Sequence, residues 1–126
     1  MKPISNYLNF LKKQGRPLLE INPGSAEIAL TVADAIQALD LLEGSEVAIL
    51  GGDILSEGKN GELIYAYQLW GDRQEFHYLN WYCNKENNET QKDYAKRSYI
   101  VARESISEAN DVAKRIDEKC YIILVI

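Results

Sequence analysis

Ile49-Leu50-Gly51-Gly52-Asp53-Ile54-Leu55 decides the fold of this 126-residue chain, because an apolar run there meets two glycines and an acid. Val47 to Leu50 is continuous and β-branched at its start, so it reads as a strand buried on both faces. Gly51-Gly52 then reads as a tight bend or bulge, with Asp53 binding nearby backbone N–H groups. At least one of these glycines is expected to hold a positive φ, or to be crossed so closely that a Cβ would clash.

Downstream, Glu57-Gly58-Lys59-Asn60-Gly61 is turn chemistry. Leu63 to Trp70 and Phe76 to Cys83 then alternate about Gly71-Asp72-Arg73, the pattern of an aromatic β-hairpin. After Asn88 the chain has no glycine or proline, and Asn88 or Thr90 can cap a helix. Its stripe runs through Tyr94, Ser98, Val101, Ala102, Ser105, Ala109, Val112, Ala113 and Ile116, with a break expected near Ser105 to Asn110. Cys120 to Ile126 is unrelieved apolar and reads as an interior strand.

Upstream, Ile4, Tyr7, Leu8 and Leu11 mark a short amphipathic helix that Lys12-Lys13 and Gly15 bring to an end. Leu18 to Ile21 reads as a short edge strand, and Ala26 to Leu30 alternates weakly. Thr31-Val32-Ala33-Asp34 is a capping-box variant opening a helix whose stripe is Val32, Ala35, Ile36, Leu39 and Leu42, stopped by Gly44. These elements define an α+β class: one domain over residues 1–126, with a mixed, largely antiparallel sheet packed by two or three helices.

Composition narrows function by exclusion. Hydrophobic residues are 46% and charged residues 26%, ordinary for a globular domain. A net charge of −5 argues against nucleic-acid binding, which needs a basic face. One histidine, and no CxxC or HxxxH spacing, give no metal ligand set, and no cofactor signature is present. The longest apolar run, Tyr121 to Ile126, is too short for a membrane span, and no secretory signal is visible, so a cytoplasmic location is expected. Cys83 and Cys120 are expected to be reduced and mostly buried. Gly51-Gly52-Asp53 is similar to the acidic turn of diguanylate cyclases, but Ile54 stands where a second acid would be needed. His77 lacks a nucleophile in a triad context and is expected to be dispensable.

What remains is a concentration of aromatics beside carboxylates. Asp53, Asp72, Glu75 and Glu86 lie near Trp81 and Tyr82, and Trp and Tyr dominate binding hot spots. These six residues are the candidate partner-binding set. Ile49-Leu50-Gly51-Gly52-Asp53, Asn80-Trp81-Tyr82-Cys83, and Asp93-Tyr94 with Lys96-Arg97-Ser98 together resemble the immunity protein 40 family of bacterial polymorphic toxin systems, over roughly residues 45 to 105. The resemblance implies a non-catalytic antidote that binds a cognate toxin and silences it by occlusion. It supplies no contact residues. The alternative is a small enzyme or ligand-binding domain with a pocket near Asp53 and His77.

Overall fold

The computed structural model describes residues 2–18 and 24–126. The elements in order are α1 (Lys2–Gln14), β1 (Arg16–Pro17), β2 (Ile28–Thr31), α2 (Val32–Leu42), β3 (Gly51–Glu57), β4 (Leu63–Tyr65), α3 (Ala66–Leu69), β5 (Trp81–Tyr82), α4 (Gln91–Arg115) and β6 (Tyr121–Val125). The sheet order is β1-β2-β6-β3-β4, with β5 also paired to β3. The class is α+β, as expected, and among the described residues every pairing is antiparallel, with none of the parallel pairing that a mixed sheet would add. The edge strand expected at Leu18 to Ile21 lies mostly outside the described residues; the described edge pairing is Arg16–Pro17 on β2.

The helices start and stop where local chemistry requires. Thr31 Oγ1 accepts the Asp34 N–H at the start of α2, and Thr90 Oγ1 accepts that of Asp93 at the start of α4. Gly44, at φ +92°, turns the chain after α2. α4 runs for 25 residues without the expected break. Its buried stripe, from Tyr94 through Ser98, Ala102, Ile106 and Ala109 to Ala113, keeps one helical face on the core along the whole length, so nothing forces an interruption.

Two other expectations are corrected. The strand expected at Val47 to Leu50 instead begins at Gly51, because α4 takes the backbone groups before it. Tyr99 Oη donates to the Val47 carbonyl at 2.7 Å, and the Ile49 N–H donates to Ser98 Oγ at 2.9 Å. Ladder bonding starts only at Leu50, whose N–H donates to the Val125 carbonyl. The glycines are thus strand residues, and Asp53 is mid-strand, not in a turn.

The aromatic hairpin also does not form. α3 follows β4 directly, since residues four apart on one helical turn send Ala66 and Trp70 inward while Tyr67 stays exposed. Trp70 is wholly buried, edge-on to Phe76 with ring centroids 5.8 Å apart. β4 and β5 consequently never pair with each other. Both line the outer edge of β3, opposite Leu55–Glu57 and Gly51–Gly52 respectively.

Candidate partner-binding face

Register divides the sheet into two unlike faces, because directly opposed residues share a face and successive ones alternate. Leu30, Ile54, Trp81, Ile122 and Leu124 fall on one face and join the main core with Tyr94, Ala102 and Ile106 of α4. The other face carries Asp53, Leu55 and Glu57 of β3, Tyr121, Ile123 and Val125 of β6, Tyr65 of β4 and Tyr82 of β5. Among the described residues a small apolar cluster sits on it, formed by Leu18, Ala29, Leu55, Leu63 and Ile123, with Tyr65 and Tyr121 packed against its rim.

Tyrosines line the outer edge of this second face. Tyr65 and Tyr67 stack with centroids 5.6 Å apart, and Tyr67 meets Tyr78 at 5.7 Å. Tyr78 is 61% exposed and Tyr82 78%. Asn80 braces the row where β4 and β5 leave a gap: its Oδ1 accepts the Ile54 N–H at 2.8 Å, and its Nδ2 donates to Tyr78 Oη at 3.3 Å. The side chain thereby replaces the backbone partner that a continuous strand would have supplied.

The two carboxylates of β3 on this face differ sharply. Glu57 is saturated: Arg16 Nη1 approaches at 2.9 Å, Tyr121 Oη donates at 2.6 Å, and Lys119 Nζ lies at 3.6 Å. The Tyr121 hydrogen bond and the two cations hold its carboxyl below the usual range. Asp53 is half-buried, and burial pushes its carboxyl up. Among the described residues it has no hydrogen bond or ion pair, and its charge is felt by Tyr65.

The six candidate residues are therefore dispersed. Asp53 and Tyr82 share the tyrosine-lined face. Asp72 and Glu75 are exposed after α3, and Glu86 is exposed in the loop before α4. Trp81 is removed from any contact surface: it is 8% exposed, with its indole ring lying against Gly52 in the main core. Alternation alone places neighbouring Trp81 and Tyr82 on opposite faces; which of them faces solvent depends on the pairing to β3. Tyr65, Tyr67 and Tyr78 were the residues that sequence reasoning left out of the candidate set, and their clustering is visible only once α3 folds Tyr67 between the other two.

The aromatic and polar residues of the Asp93 to Ser98 stretch turn out to be scaffold. Tyr94 Oη donates to the Cys83 carbonyl at 2.6 Å, and Arg97 forms a two-pronged pair with Glu89 while reaching the Asn84 carbonyl. With Ser98 and Tyr99 they bind α4 to the segments flanking β3 and β5. Cys83 is buried and Cys120 half-buried, both free, and burial pushes the Cys120 thiol up to about 12. That leaves an inert thiol.

A cleft of about 600 Å³ lies between the end of α2 and the first turns of α4, lined by residues that include Glu43, Lys92, Lys96, Tyr99, Ile100 and Arg103. Neither Asp53 nor His77 lines it. His77 is exposed. No helix among the described residues is long and apolar enough to cross a membrane, and no group of His, Cys, Asp and Glu among them is placed to hold a metal ion.

An antiparallel sheet with helices over one face and tyrosines along the other defines an α+β protein. The model of the family Immunity protein 40 matches residues 17–126, and the chain belongs to that family. No curated protein and no solved structure matches the chain.

Proposed function

We propose that this protein is an antidote that binds a cognate polymorphic toxin and neutralises it by covering its active surface, without catalysis. Family membership supports the immunity role, and the tyrosine-lined sheet face is the observation that carries the mode of action. Tyrosine supplies large contact area while ordering few rotatable bonds, which suits a preformed binding surface. Asp53 and Tyr82 lie on this face, and Asp72, Glu75 and Glu86 add exposed negative charge that attracts a basic partner. A cytoplasmic site of action follows from this reading, since the antidote has to meet the toxin in the producing cell.

Co-expression with the toxin encoded by the adjacent gene tests the proposal directly. Cells carrying both genes should grow, and the two products should co-purify as a stable complex. Failure to protect, together with no complex, would remove the immunity reading. Reversing Asp72, Glu75 and Glu86 to lysine should slow association and flatten its salt dependence.

A further inference from the structure

We infer that Asp53 is the receptor for one arginine side chain of the toxin, gripped between the rings of Tyr65 and Tyr82. The inference rests on the proposed immunity role and specifies the chemistry of its partner.

Position comes first. Tyr82 is opposite Gly51 and Tyr65 is opposite Leu55, so both are diagonal neighbours of Asp53 on the same sheet face. Diagonal cross-strand neighbours are ~7–8 Å apart, within reach of an aromatic ring. Gly51 carries no side chain, which lets the β5 backbone close onto β3 and seats Tyr82 next to the strand that bears Asp53. The Asn80 brace fixes Tyr78, which with Tyr67 closes the outer side.

Charge comes second. Asp53 is a half-buried carboxylate with no protein partner among the described residues, whereas Glu57, two pleats along the same strand face, shows how this fold neutralises one when it serves structure. Arg16, Lys119 and Tyr121 all converge on Glu57, and among the described residues none has an interaction with Asp53. The unmet demand at Asp53 is for a cation. Arginine fits better than lysine, because a planar guanidinium bonds a carboxylate while stacking on tyrosine rings. The excess of 19 acidic over 14 basic residues favours a basic partner in the same sense.

Two measurements test it. Titration of ¹⁵N-labelled protein with N-acetyl-arginine amide should shift the amide signals of Asp53, Ile54, Tyr65 and Tyr82, with a Kd on the order of 10 mM, as expected for one charge-assisted contact. N-acetyl-citrulline amide should not shift them, and Asp53→Asn should abolish the arginine response. Against the toxin, Asp53→Asn should weaken binding roughly thirtyfold or more, whereas Glu108→Gln on the exposed side of α4 should leave it unchanged. The melting temperature of Asp53→Asn should equal or exceed that of the wild type, which separates a binding role from a structural one. Absence of arginine-specific shifts, or an Asp53→Asn complex as tight as wild type, overturns the inference while leaving the immunity role intact. If the wild type does not bind the toxin, it is the immunity role that fails, and the arginine titration still decides the chemistry of Asp53.

Discussion

The indole ring of Trp81 occupies the space that a side chain at Gly52 would need, and the Trp81 carbonyl stands where a Cβ on Gly51 would go. Neither glycine is among those with positive φ, so the requirement is for close approach and not for unusual backbone geometry. Two strands thirty residues apart in sequence can pair here only because β3 has no side chains at these two positions.

Gly52→Ala should therefore destabilise the protein by about 1–3 kcal/mol, the usual cost of forcing extra volume into a packed core. Trp81 cannot yield easily, since it is buried within the main core cluster, to which Tyr94 and Leu79 also belong. Urea denaturation of Gly52→Ala, Trp81→Phe and the double variant should show a favourable coupling, because the smaller ring makes room for the methyl group. Additive losses would mean that the two residues do not compete for space.

Ser98→Ala should cost about 1–3 kcal/mol in the same assay. The Ser98 hydroxyl accepts the Ile49 N–H at 2.9 Å and donates to the Ala95 carbonyl at 2.7 Å, all within the buried interior. Alanine leaves the Ile49 N–H buried without a partner, which carries the full desolvation penalty. Ser98→Thr, which keeps the hydroxyl, should recover part of the loss.

Such pairings explain which parts of the fold are legible in the sequence. Helices α2 and α4 are, because Thr31, Gly44 and Thr90 act on backbone groups within four residues of themselves. The interior strand at the C-terminus is legible too, since every residue from Tyr121 to Leu124 is apolar. The aromatic segment is not: Phe76 to Cys83 alternates like a strand throughout, yet Asn80 meets β3 through its side chain and only Trp81–Tyr82 pair. Sequence period cannot distinguish a side-chain amide from a backbone partner. For the candidate site the same limit applies, since Tyr65, Tyr67 and Tyr78 become neighbours through α3, a single helical turn within an otherwise strand-like pattern.

Acid should unfold the protein partly through Glu89. Its side chain is 11% exposed and accepts two hydrogen bonds from Arg97, which lower its pKa from 4.5 to about 2. A carboxyl with a depressed folded-state pKa stabilises the protein fully above its unfolded value, and this contribution disappears as pH falls through the folded one. Stability should thus decline between pH 4.5 and about 2, and Glu89→Gln should flatten that part of the profile while lowering stability at neutral pH. Glu57, lowered in the same direction, adds to the acid loss. Asp53 acts oppositely: its raised pKa means that protonation relieves a cost, so Asp53→Asn should show less stabilisation on mild acidification than the wild type.

Tyr82 and Trp81 give the sharpest separation of binding from folding, because adjacent residues point to opposite faces of one short strand. Tyr82 is 78% exposed and supports no buried cluster, so Tyr82→Ala should change stability by no more than about 0.5 kcal/mol. Trp81→Ala should cost about 3–5 kcal/mol, as for other large aromatic truncations in a core. Binding should show the reverse ranking of directness. Tyr82→Ala should speed dissociation of the toxin complex at an unchanged fold, since losing a central aromatic contact acts mainly on the off-rate. Trp81→Ala should weaken binding only in proportion to the fraction of protein left folded. Surface-based kinetics on the two variants, read beside their melting curves, would distinguish these outcomes. A Tyr82→Ala complex with wild-type lifetime would place the contact surface elsewhere, with the exposed acids after α3 as the next region to test.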